Sequence, residues 1–174
     1  MDIVQKGYQI TAAFKYIQKV FNECQRLIFK IDNQMAPEWS TIYGNRITKD
    51  VTSSLQDADR WIVEAIFRVY GTNNDQTINK AITISFWGGN IDQPVITAGK
   101  ITYSDPSKRD HWDLWNIWFN WEENENRELD GKIKVLMPDG CKYVKEALIF
   151  SLPLISITDD ETLIEKIIKP LKAL

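Results

Sequence analysis

Between about Gly7 and Asp32 the apolar residues Ile10, Ala13, Phe14, Ile17, Val20, Phe21, Cys24, Leu27, Ile28 and Ile31 recur at spacings of three and four. Lys15, Gln18, Lys19, Asn22, Gln25 and Arg26 fall mostly on the opposite side, so the pattern predicts a long amphipathic helix. The stretch Asn33 to Ser40 contains Pro37, which removes a backbone donor and pushes its predecessor out of helical angles; it is a connector.

Beyond the connector the period drops to two. In Trp61 to Tyr70 the alternate residues Trp61, Val63, Ala65, Phe67 and Val69 are apolar, while Ile62, Glu64, Ile66, Arg68 and Tyr70 are mixed. This predicts a half-covered strand; a helix from Leu55 to Tyr70, ended by Gly71, is the competing reading. Ile78 to Trp87, rich in β-branched residues, and Val95 to Tyr103 continue in the same style. Over Asp113 to Trp121 the tryptophans recur every three residues. Period two describes the segment better, with Trp115, Ile117, Phe119 and Trp121 opposite Leu114, Asn116, Trp118 and Asn120, and predicts a strand. Lys132 to Met137 is another, followed by the tight turn Pro138-Asp139-Gly140. Cys141 to Leu152 is ambiguous, and Pro153 argues against a central strand just beyond it. At the C-terminal end Thr158 and Glu161 form a capping box, Asp159 and Asp160 complement the helix dipole, and Leu163, Ile164, Ile167, Ile168 and Leu171 supply an apolar stripe.

These elements specify a single α+β domain over residues 1–174. Its centre is an antiparallel, meander-like sheet of about five to six strands, with the long N-terminal helix and the C-terminal helix packed on one face. A chain of 174 residues buries an adequate core without metal or disulfide staples. With 44% hydrophobic and 26% charged residues it matches neither a disordered tail nor a coiled-coil composition. Only Cys24 and Cys141 occur and no Asn-x-Ser/Thr acceptor is present, which together with an N-terminus unlike a signal peptide predicts a cytoplasmic protein. The formal net charge of −3 gives no general attraction to phosphate backbones or anionic lipid, so neither nucleic acid nor membrane is an expected partner.

Catalytic chemistry is sparse. One histidine, His111, excludes a His-Glu-x-x-His site, and two distant cysteines exclude a four-thiolate centre, so no metal and no cofactor are expected. Gly99-Lys100-Ile101-Thr102 resembles the end of a phosphate-binding loop but lacks its upstream glycine and the hydroxyl residue after lysine. The loop Ser104 to Asp113 is the one polar constellation: His111 beside Asp110 and Asp113 has the makings of a general base, and Lys108 or Arg109 of an anion clamp. A nucleophilic pair of His111 with Cys141 is formally open. Glu122, Glu123, Glu125, Glu128 and Asp130 form an acidic run best understood as hydrated.

Strand alternation places Trp118 and Leu114, and Ile66 and Tyr70, on the sheet face away from the helices. These four are the candidate binding residues, contacting another protein or a second copy of the chain. The composition therefore favours a non-catalytic, cytosolic protein-binding or accessory domain, of the immunity, chaperone-like or regulatory kind. The alternatives are a small hydrolase or transferase using the 104–113 loop, and a small-molecule or nucleotide sensor with a tryptophan-lined pocket.

Overall fold

A computed structural model describes residues 3–88, 91–110, 113–114, 116–117, 129–137 and 141–174. The chain forms two compact units, Met1–Ala36 and Pro37–Leu174. The first is a single helix, α1 (Ile3–Met35), longer at both ends than the periodic stretch that predicts it. Ala36 N donates to Asp32 O at 3.1 Å, the last helical bond before Pro37. Along α1 the side chains of Cys24, Ile28, Ile31 and Met35 are buried, whereas residues 3–16 are exposed throughout.

The second unit is built on an antiparallel sheet. Its strands are β1 (Ser40–Thr41), β2 (Thr48–Asp50), β3 (Ala65–Gly71), β4 (Ile78–Ser85), β5 (Val95–Tyr103), β6 (Lys134–Leu136) and β7 (Val144–Pro153). Their order is β1-β3-β4-β5-β7-β6, and β2 also pairs with β3. The central β3-β4-β5 run is the expected meander. β6 then occupies an edge and β7 inserts between it and β5, which makes the ambiguous 141–152 stretch a long interior strand. Pro153 is its last residue, opposite Val95, where the missing amide interrupts nothing and the chain turns into a 3-10 helix at Leu154–Ser156.

Cross-strand register assigns two faces. Ala65, Phe67 and Val69 share one with Ala81, Ile101, Tyr103, Ala147 and Ile149, and Leu114, Ile117 and Cys141 join that cluster. Ile66, Arg68 and Tyr70 share the other with Ile84, Ile82 and Lys80. Both faces are covered: β3 is buried from Ala65 to Tyr70 and β4 from Asn79 to Ser85. The half-covered strand expected over Trp61–Tyr70 is thus a fully buried one, and it starts only at Ala65. Ala58–Trp61 is instead a 3-10 helix, so Trp61 is 50% exposed, its indole N–H donating to Ser54 O at 2.7 Å.

The strand expected over Asp113–Trp121 also gives way. Asp113, Leu114, Asn116 and Ile117 are helical, with the rest of that segment outside the described residues. Leu114 and Ile117, three apart, then reach the same cluster, a contact that period-two alternation denies them.

The C-terminal helix runs through Asp160–Leu163, a π-helical turn at Ile164–Ile168, and Lys169–Ala173. Its capping box lies one residue later than expected. Asp159, not Thr158, is the N-cap; its carboxylate accepts from Thr162 N at 2.8 Å, and Thr162 Oγ1 accepts from Asp159 N at 3.1 Å. The charged acceptor at the cap satisfies the first-turn amides better than a hydroxyl does. The π turn ends two residues before Pro170, whose absent amide breaks the regular ladder. Leu163, Ile167, Ile168 and Leu171 are buried. Lys80 Nζ donates to Lys172 O at 2.9 Å and Lys100 Nζ to Leu174 O at 2.5 Å, which sets the end of this helix over the second face.

Candidate functional site

At the end of the sheet where β5 gives way to the 104–113 loop, polar side chains from five segments converge. Tyr103 closes β5, Asn79 opens β4, Tyr43 lies between β1 and β2, Arg109, Asp110 and Asp113 come from the loop, and Cys141 precedes β7. Arg109 Nη1 donates to Asn79 Oδ1 at 3.4 Å. Asp113 is buried; its Oδ2 accepts from Asp110 N at 3.0 Å while Asp113 N donates to Asp110 O at 3.2 Å. This reciprocal pair is the geometry of a helix start, the carboxylate three residues on reaching back to the cap amide. Upstream, Asp105 Oδ1 accepts from Ser107 N and Ser107 Oγ at 3.0 and 2.7 Å, fixing the 3-10 turn Pro106–Lys108. The Asp105 and Asp113 carboxylates are therefore occupied by backbone and hydroxyl donors.

Burial holds the thiol and the phenols of the cluster in their protonated forms. Burial, reinforced by Asp113, pushes the Cys141 thiol up to about 12, and Cys141 Sγ lies 3.6 Å from Asp113 O. Burial also drives the Tyr103 phenol well above its ordinary value, with Asp113 adding to the effect. Tyr43 moves the same way, again chiefly from burial, against the opposing pull of Arg109. A thiol attacks as its thiolate, so Cys141 is poorly suited to the nucleophilic role. His111 lies outside the described residues, which hold only Asp110 and Asp113 of the expected histidine-carboxylate arrangement.

The four candidate binding residues separate. Tyr70 is 1% exposed and Ile66 is likewise buried, both on the face crossed by the end of the C-terminal helix. Leu114 is buried on the opposite face, because it is helical. Trp118 lies outside the described residues, as do Trp115, Trp121 and Glu122 to Glu128. An open sheet face carrying Tyr70, Ile66 and Leu114 is thereby corrected: an apolar second face is a covered one, since leaving it in water forfeits about 25 cal/mol for each Å².

Comparison with protein-family models, curated proteins and solved structures gives no match.

Two other features bear on ligands. The described residues around Ala81, Thr83, Thr97, Gly99, Leu114 and Ile117 enclose a recess of about 20 Å³. That is room for about one water, whereas small-molecule pockets span roughly 300–1,000 Å³. Gly99 and Lys100 lie mid-strand in β5, where Lys100 is committed to Leu174 O, so the phosphate-loop resemblance has no loop behind it. Among the described residues no group of three or more His, Cys, Asp or Glu side chains is placed to hold a metal ion, and no helix is long and apolar enough to cross a membrane.

Sequence reasoning passed over the surface that stands out most. On α1, Ile3 is 84% exposed, Ile10 60% and Phe14 57% along one stripe, with Val4 flanking it and Tyr8 and Tyr16 exposed on the other side of the helix. The signal was present in the helical stripe itself; which part of the stripe is covered is a tertiary matter.

Proposed function

We propose that this chain is a non-catalytic cytosolic binding module whose contact surface is the N-terminal half of α1. The observation that carries this reading is the run of exposed apolar and aromatic side chains over residues 3–16, concentrated on one helix. Scattered apolar residues are ordinary on a protein surface, whereas Ile3, Ile10 and Phe14 exposed along one helical stripe mark an interaction site. Tyr and Phe are also the residues enriched at interface centres. The protonated Cys141 and Tyr103, and an Asp113 carboxylate already engaged by a backbone donor, favour this reading over a hydrolase or transferase built on the 104–113 loop.

The test is a photo-crosslinking amino acid at position 14, irradiated in an extract of the native host and analysed by mass. A discrete protein adduct, abolished by glutamate at position 10, is expected. No adduct at all removes the proposal.

A further inference from the structure

The apolar positions Ile3, Gly7, Ile10, Phe14, Ile17 and Phe21 are separated alternately by four and three residues, and the alternation runs on through Met35. That is a strict seven-residue repeat sustained along the 33 residues of α1. A straight helix of 3.6 residues per turn drifts by about 20° per heptad against such a repeat, or about 90° over this length. A stripe that nevertheless keeps the repeat is matched to another helix around which it can supercoil. Toward Met35 the seam is buried, while its N-terminal part, at Ile3, Ile10 and Phe14, is exposed.

The seam is suited to itself. In heptad terms Ile3, Ile10 and Ile17 fall at d and Gly7, Phe14 and Phe21 at a. β-Branched residues at d disfavour a parallel two-stranded coil, where leucine is preferred. In an antiparallel pair a meets d, so Ile10 faces the partner's Phe14 and Gly7 faces the partner's Ile17. The glycine leaves open space for that side chain, since nothing in the chain lies within 4 Å of where its Cβ would be. One flank carries Lys6, Ala13 and Val20 and the other Val4, Thr11 and Gln18, so each copy brings a single charge to the seam edges. Antiparallel pairing sets Lys6 beside Val20 of the other copy, and no like charges meet. Residues 3–22 carry Lys6, Lys15 and Lys19 and no acidic residue, a charge that an anionic lipid surface would also attract, so vesicle retention is one of the outcomes tested.

Resting on the proposal that α1 carries the contact surface, we infer that its occupant is the same stretch of a second copy, packed antiparallel to form a closed two-fold dimer. The experiment is sedimentation of the full chain over a concentration series, beside Ile10→Glu/Phe14→Glu. Both substituted side chains are solvent-exposed, so near-UV circular dichroism should show the variant folded. The expected result is a wild-type dimer with a Kd below about 10 µM and at least about hundredfold weaker association in the variant. Gly7→Cys mixed with Ile17→Cys should crosslink under oxidation, and Gly7→Cys alone should not, since antiparallel copies hold those two positions far apart. A monomeric wild type, a variant that dimerises normally, or crosslinking of Gly7→Cys alone would each overturn the inference. So would retention of the monomer on phosphatidylglycerol vesicles. A position-14 adduct with a different protein only would sink the self-pairing but leave the binding-module reading standing; no adduct would sink both.

Discussion

Lys80 Nζ lies 2.9 Å from the carbonyl oxygen of Lys172 and 4.4 Å from the centre of the Trp39 ring. Lys100, its direct cross-strand partner on β5, makes the equivalent contact to Leu174. Two cations thus occupy the negative end of the C-terminal helix, where unsatisfied carbonyls and the helix dipole favour them. Burial lowers the affinity of Lys80 for its proton, the expected sign for an ammonium withdrawn from water. Lys80→Ala removes the bond and the packed stem together and should cost about 2 kcal/mol. Lys80→Met keeps the stem and relieves repulsion from Lys100, so its cost should stay within about 1 kcal/mol. Urea unfolding of the three proteins checks the ordering; equal losses would mean that the stem contributes nothing and would assign the effect to the ammonium's bond alone.

Thiol labelling tests the buried cysteines. Burial raises Cys24 from its ordinary 9.0 to about 11 and Cys141 to about 12. Near neutral pH this reduces the thiolate about a hundredfold and a thousandfold respectively, tenfold for each step of one. Both thiols should react slowly with a thiol reagent in the folded protein and both should react promptly after denaturation without reductant. Rapid labelling of the native protein would contradict their burial.

The same groups set an alkaline limit on stability. From about pH 9 upward the unfolded chain gives up thiol protons that the folded chain retains until about pH 11 or 12, so stability falls as pH rises. Lys80, with its affinity lowered in the fold, acts in the opposite sense. Comparing wild type with Cys141→Ala isolates the thiol: the variant is less stable at neutral pH, but its stability should decline less steeply through this window. An unchanged slope in denaturant midpoints would refute the assignment.

Asp113→Asn keeps a side-chain oxygen for the Asp110 amide and removes the negative charge near Tyr103 and Tyr43. Asp113 is the next cause after burial for Tyr103 and a lesser one, behind Asp110, for Tyr43, so the tyrosine ionisation curve should shift toward lower pH without reaching the ordinary value. Ultraviolet titration of the phenolate band checks this. A fold that survives with no shift would show that the carboxylate does not act on the phenols.

Gly99 of β5 lies opposite Ile149 of β7. A Cβ there would fall 2.4 Å from Leu148 O and 2.5 Å from Ile149 Cγ2, contacts that only backbone movement relieves. Gly99→Ala should therefore destabilise the sheet by about 3 kcal/mol. Thermal unfolding measures it, and a near-neutral result would mean that the two strands separate easily.

Local pattern was enough for much of the fold. β5 spans Val95–Tyr103 as alternation and β-branched content place it, and α1 follows its stripe. Each of those signals rests on a period written directly in the chain. Where two periods compete, tertiary burial decides: Leu114 and Ile117 fit both a strand and a helix, and the helical spacing brings them to the cluster around Phe67 and Ile149. Trp61 shows the converse, an apolar residue in good alternation that lies before the strand begins.

The candidate sites were less legible for the same reason. Alternation correctly puts Tyr70 and Ile66 on one sheet face but carries no information about what lies over that face. Chain positions 80 and 172, or 103, 113 and 141, become neighbours only through strand order and the return of the C-terminal helix. The sequence by itself determined the helical stripes, most of the strands and the poverty of catalytic groups, because these depend on spacings of a few residues. Tertiary structure alone decided which apolar surfaces are closed and which, on α1, stay open, because burial depends on contacts between residues far apart in the chain.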